Sequence, residues 1–86
     1  MAEKKIVVHL QHGLQARSAT KFVGKASAFS SEINIVKNGR TVNGKSIMGL
    51  MSTVIRKGEE LTIIANGRDE QKAIVTLEGF LSSKEG

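Results

Sequence analysis

Two short segments hold the residues whose type and spacing could do chemistry. In the first, His12-Gly13-Leu14-Gln15-Ala16-Arg17-Ser18, a glycine turn runs into a helical pattern. Backbone N–H groups at residues 16–18 then lack intrahelical partners and form a natural anion site, to which Arg17 adds a fixed charge. In the second, residues 42–51 (VNGKSIMGLM), Ser46 directly precedes an apolar run and stands where a helix N-cap belongs. Placed at 100° per residue, Leu50, Val54, Ile47, Met51 and Met48 span an arc of roughly 160°. A short helix packed on one side needs an apolar stripe of only ~100°. Part of that arc, Met48 above all, is therefore expected to face solvent or a partner, beside a modifiable serine.

Other chemistry finds little support. Acid–base catalysis wants converging carboxylates, or a carboxylate with a histidine. The eight acids, Glu3, Glu32, Glu59, Glu60, Asp69, Glu70, Glu78 and Glu85, lie mostly at element ends, where they read as solubility and capping. His9 and His12 have no cysteine or acid close by in sequence, so no metal is expected. A P-loop is absent and no cofactor is implied. The chain reads as a binding protein, not an enzyme.

The elements that must position these segments are legible in order. Ile6, Val8 and Leu10 alternate as a strand with one covered face, and residues 11–15 form a loop turning at Gly13. Ala19, Phe22, Val23, Ala26 and Phe29 recur at helical spacing. Ile33 and Ile35 mark a second strand, and Asn38-Gly39 is a two-residue hairpin signal that pairs Ile35 with Val42. The Ser46 helix is expected to end near Arg56-Lys57-Gly58, with Gly58 as its stop. Leu61, Ile63 and Ala65 alternate in a fourth strand. Asn66-Gly67 turns, Asp69 caps, and Ala73, Ile74, Leu77, Phe80 and Leu81 line a last helix, so that all three Phe read as core. The order β-α-β-β-α-β-α predicts an α+β open-faced two-layer sandwich: an antiparallel four-stranded sheet with helices on one face. The other face, bearing Lys5, Asn34, Thr62 and Ile64, is expected to be largely solvated.

Composition bounds the partners. Eighty-six residues without repeat or linker make one domain, residues 1–86. No cysteine suits a reducing compartment, no signal-peptide pattern opens the chain, and no apolar run approaches the ~18 residues of a membrane span. A soluble cytoplasmic protein is expected, with no membrane partner. The net charge of +5 favours acidic partners. With three Phe, no Tyr and no Trp, and with its cations dispersed, the chain offers no platform for direct nucleic-acid binding.

The segments Gly13-Leu14-x-Ala16-Arg17 and Val42-Asn43-x-Lys45-Ser46-Ile47-Met48-Gly49-Leu50-Met51, with Gly67-x-Asp69-Glu70, resemble the HPr family of the phosphoenolpyruvate-dependent sugar phosphotransferase system. The resemblance spans essentially the whole chain and implies sheet order 1-4-2-3. It also implies a phosphoryl-carrying histidine at position 15, where this chain has Gln15. A glutamine amide is neither nucleophilic nor titratable near neutral pH, so phosphohistidine carriage from enzyme I to an enzyme IIA is not expected. His12, three residues upstream, is not expected to reach the same place. Glutamine there resembles the family's Crh branch, the catabolite-repression paralogues of Gram-positive bacteria. That branch implies phosphorylation of Ser46 by HPr kinase/phosphorylase and a corepressor role with catabolite control protein A, a LacI-type regulator. Gln15, Arg17, Ile47, Met48 and Met51 would form the partner-facing surface. A phosphocarrier HPr, natural or with its histidine engineered to glutamine, is the alternative reading. A basic module for an acidic partner is the second. Ser18 replaces the family's proline, which leaves the helix start without a pre-set φ and the loop looser. The first strand, at a sheet edge and joined through the 11–15 loop, offers a route to a strand-exchanged homodimer.

Overall fold

The alternation of Ile6, Val8 and Leu10 buries all three side chains, but only the first lies in a strand. In the computed structural model, which describes residues 1–83, β1 is Ala2–Val7. Beyond Val7 the backbone leaves the ladder for other partners: the Val8 N–H donates to the Glu59 carbonyl, the Gly58 N–H to the Val8 carbonyl, and the His9 N–H to the Leu81 carbonyl. The remaining elements are α1 (Ala16–Ala26), β2 (Glu32–Lys37), β3 (Arg40–Asn43), α2 (Ile47–Ser52), β4 (Glu60–Asn66) and α3 (Glu70–Ser82). The sheet is antiparallel in the order β1-β4-β2-β3.

The hairpin forms as its residues require. Asn38 and Gly39 take φ of 52° and 78°, and Ile35 faces Val42. Ile6, Leu61, Ile63, Ala65, Ile33, Ile35 and Val42 cover one sheet face, and Phe22, Leu50, Leu77 and Leu81 close the core from the helical layer. On the other face Lys5 is exposed, whereas Asn34, Thr62 and Ile64 are half-buried by their neighbours on the sheet.

Four expectations are corrected. Helix α2 stops at Ser52, because Thr53 is extended and the chain goes on to make an isolated bridge between Ile55 and Leu14. Gly58, at φ 90°, turns the chain toward β4 and does not stop the helix. Phe29 lies beyond the end of α1, and it and Phe80 are half-buried at the edge of the core; only Phe22 is fully enclosed. Asp69 occupies the N-cap position of α3 but makes no side-chain cap. Its carboxylate accepts from the Ser30 and Ser31 N–H groups, both at 3.0 Å, and from the Ser31 hydroxyl, while Glu70 accepts from the Gly67 N–H. The Ser31 hydroxyl above all, with the Ser30 and Ser31 N–H groups, holds the Asp69 carboxyl at about 2. Of the acids, Glu85 lies outside the described residues.

Candidate functional site

Ser46 sits at the junction of β3 and α2, and each residue before it explains its place. Gly44 is buried, and any Cβ there would meet the Ile33 side chain at 2.6 Å. Asn43 accepts at its side-chain oxygen from the Lys45 N–H (2.8 Å) and at its carbonyl from the Ser46 N–H (3.1 Å), which closes the turn. The Lys45 ammonium donates to the Phe29 carbonyl, away from the serine. Ser46 is extended (φ −115°, ψ 114°), and its Oγ accepts from the Gly49 N–H at 3.0 Å. The serine is thus a true N-cap and half-buried.

The other segment is built on a docked loop. The Leu14 N–H donates to the Ile55 carbonyl at 2.9 Å, and the Gly13 N–H to the Leu10 carbonyl at 3.0 Å. At φ 67°, with the Ile55 carbonyl against the place of its missing Cβ, position 13 accepts only glycine. Gln15 is the N-terminal flanking residue of α1 (φ −112°, ψ −175°). Its N–H donates to Ser18 Oγ at 2.9 Å, and that buried hydroxyl donates to the Gly13 carbonyl at 2.8 Å. Ser18 therefore ties the loop down, where the loss of proline was expected to loosen it. The side chains of Gln15 and Arg17 are exposed.

Helix α1 packs on α2, and this packing brings part of the expected set together. A depression of about 330 Å³ is lined by His12, Leu14, Gln15, Ala16, Met51, Val54, Ile55 and Arg56. A smaller one of about 200 Å³ adds Gly13, Arg17 and Ser18 to His12 and Gln15. Gln15, Arg17 and Met51 thus border one surface with an apolar floor and a basic rim. Ser46, Ile47 and Met48 line neither depression. They stand toward the N-terminal end of α2, about 7.5 Å of axial rise from Met51 for Ser46 and about 4.5 Å for Met48, at 1.5 Å per residue. Met48 is 83% exposed, Met51 48% and Ile47 37%, while Leu50 is fully buried and carries the packing of α2. The broad apolar arc does divide into a buried side and an exposed side.

Three residues of this surface were not singled out for it from the sequence. Val54, 60% exposed, was placed on the helical arc but lies past the end of α2. Arg56 and His12 join the rim only because the loop bearing Gly13 docks on the 53–56 segment. No sequence signal marks that contact apart from the glycine. The segment is pinned from behind. Lys37 donates from its ammonium to the Val54 carbonyl and to Glu59, and Glu59 also accepts from the Arg56 N–H at 2.7 Å. The Lys37 bond above all, with the Arg56 N–H, lowers the Glu59 carboxyl from its ordinary value. Among the described residues no cluster of His, Cys, Asp and Glu could hold a metal, and no helix is long and apolar enough to cross a membrane.

The family model for the PTS HPr component phosphorylation site matches residues 2–83. The chain belongs to the HPr family. Among HPr relatives, the HPr-like protein Crh of Halalkalibacterium halodurans is 50% identical over 84 residues, covering 98% of this chain and 100% of its own. The phosphocarrier protein HPr of Bacillus anthracis superposes with a TM-score of 0.91 at 44% identity, over 93% of this chain and 95% of that one. Crh of Bacillus subtilis, in a dimer with a swapping domain, matches at a TM-score of 0.79 and 44% identity, over 100% of this chain and 99% of that one. The α+β open-faced sandwich with sheet order 1-4-2-3 is thus the HPr fold, as the sequence resemblance implies.

Proposed function

We propose that this chain is a Crh-like regulatory protein of carbon catabolite repression, switched by phosphorylation of Ser46 by HPr kinase/phosphorylase. In its phosphoserine form it acts as corepressor of a LacI-type catabolite control regulator in the cytoplasm, and it is not an enzyme. The carrying observation is the pairing of a capping serine with an exposed Ile47/Met48/Met51 surface, while the α1 end presents Gln15, which cannot accept a phosphoryl group. A phosphate on Ser46 adds about −1.5 to −2 charges next to free N–H groups of α2, so it leaves the fold intact and changes the surface. The result is a dianion beside an apolar patch, which a basic, apolar partner can read. Gln15 and Arg17, at the other end of the same face, extend the contact.

Intact mass after two incubations tests this reading. HPr kinase with ATP should add one phosphate, lost in Ser46→Ala; enzyme I with phosphoenolpyruvate should add none. No phosphate in the first overturns the proposal. The phosphocarrier reading keeps one specific foothold, because His12 shares the smaller depression with Arg17. A phosphate from enzyme I that disappears in His12→Gln would establish it. By analogy with the swapping-domain dimer of Bacillus subtilis Crh, and with β1 at the sheet edge, we propose that the chain also forms a strand-exchanged homodimer. Light scattering over a concentration series reads this, and a monomer throughout would refute it.

A further inference from the structure

The chain has three Met, no Cys, no Trp and no Tyr. Oxidation at sulfur therefore falls on thioethers alone. Two of the three stand on α2: Met48 is 83% exposed and Met51 48% exposed. The third, Met1, is 80% exposed at the head of β1, with its amino group paired to Glu70. Neither α2 methionine belongs to the buried core, and the helix is held by Leu50 and by the Ser46 cap.

We propose that Met48 and Met51 form a peroxide-oxidisable modification site, and that their sulfoxides remove the apolar half of the surface beside Ser46 without unfolding the chain. The consequence for partner binding rests on the functional reading above. The oxidant is a hydroperoxide. A lone pair of the thioether sulfur attacks the peroxide oxygen; the S–O bond forms as the O–O bond breaks. Sulfur loses two electrons, and the departing oxygen takes up the transferred proton and leaves as water or an alcohol. The product is polar, chiral and a strong hydrogen-bond acceptor where a soft apolar group stood.

Placement makes both sites count. Residues 48 and 51 are i, i+3 neighbours on one face of α2. Met48 dominates the exposed surface near Ser46. Met51 forms part of the wall that also holds Leu14, Val54 and Ile55, so its sulfoxide puts a polar oxygen against that apolar floor. Phosphorylation adds the charge a partner reads; oxidation deletes the contact area around it. The two modifications meet on one helix of six residues.

The test uses full-length protein phosphorylated on Ser46 and treated with hydrogen peroxide. Peptide mapping is expected to show sulfoxide at both Met48 and Met51, with an unchanged far-ultraviolet circular dichroism spectrum and weaker retention of the native protein on a phenyl matrix. Binding to the LacI-type regulator should weaken at least about tenfold, as expected when central apolar contacts are lost. Methionine sulfoxide reductase should restore it, and Met48→Leu/Met51→Leu should bind well and resist peroxide. The inference is overturned if both α2 methionines stay reduced under conditions that oxidise Met1, or if the doubly oxidised protein binds as the reduced one does. Failure of the reduced phosphoprotein to bind would instead strike the functional reading. Mapping and matrix retention would still decide the modification site.

Discussion

Ser46 does two jobs with one oxygen, and they can be separated. As an N-cap it satisfies the Gly49 N–H, and Ser46→Ala leaves that donor without its partner. The variant should lose about 1 kcal/mol of stability, the usual cost of removing such a cap. It should also lose all response to HPr kinase. Ser46→Asp should keep most of the stability, since a carboxylate caps as well. Urea denaturation of the three proteins checks the order. Asp69 makes a different kind of prediction. Its carboxyl is held at about 2 against an ordinary 3.8, so the folded state binds its proton less readily than the unfolded state. Its contribution is present in full above the unfolded value and is lost as the pH falls from 3.8 through about 2. The urea midpoint should drop across that window in the wild type, and drop less in Asp69→Asn, which starts lower because the Ser30 and Ser31 donors lose their charged acceptor.

At the scale of elements, the decisive contact is between the 10–15 loop and the 53–56 segment. Gly13 makes it: its positive φ turns the loop, and its missing side chain lets the Ile55 carbonyl approach. Gly13→Ala is therefore strained and sterically blocked. It should destabilise by about 1–3 kcal/mol, the range for backbone strain, and should disorder the Leu14–Ile55 bridge. Faster hydrogen exchange at the Leu14 amide, beyond the change at core amides of β4, would check that the effect is local. Helix α2, only six residues long, cannot be stable by propensity alone. Its cap and the burial of Leu50 hold it, which leaves Met48, 83% exposed, outside the packing of the helix.

For the whole molecule, the net charge of +5 is dispersed over the surface, and two of its cations stand beside Gln15. The described ion pairs engage Met1 with Glu70, Lys4 with Glu78, and Lys37 with Glu59; Arg17 and Arg56 belong to none of them. Both border the depressions beside Gln15, where no carboxylate lines the wall. Where a partner meets this rim with acidic residues, association should slow as salt rises, because screening over about 8 Å at physiological ionic strength weakens long-range steering. In Arg17→Ala/Arg56→Ala the association rate should fall several-fold at low salt and lose the part of its salt dependence that this rim supplies, with little change in folding stability. Stopped-flow association with the phosphorylated protein at graded salt measures it.

The periodicities of Ile6, Ile33, Ile35, Leu61 and Ile63, the Asn38-Gly39 turn and the capping Ser46 are local properties, and the sequence by itself determined them. Each depends on residues within a few positions of one another, and the element order then allows little besides one covered sheet face. The same locality let the arc of Ile47, Met48 and Met51 announce its surplus surface. Where α2 ends was not local: a helical pattern continues through Val54, but the bridge between Leu14 and Ile55 pulls the chain straight after Ser52. Asp69 had the right position for a cap, yet three donors from the 30–31 turn outbid the helix for its carboxylate. His12, Val54 and Arg56 joined Gln15 through that same long-range bridge. Only the tertiary structure could decide these points, because each is a competition between a local preference and a partner distant in sequence, and the distant partner won.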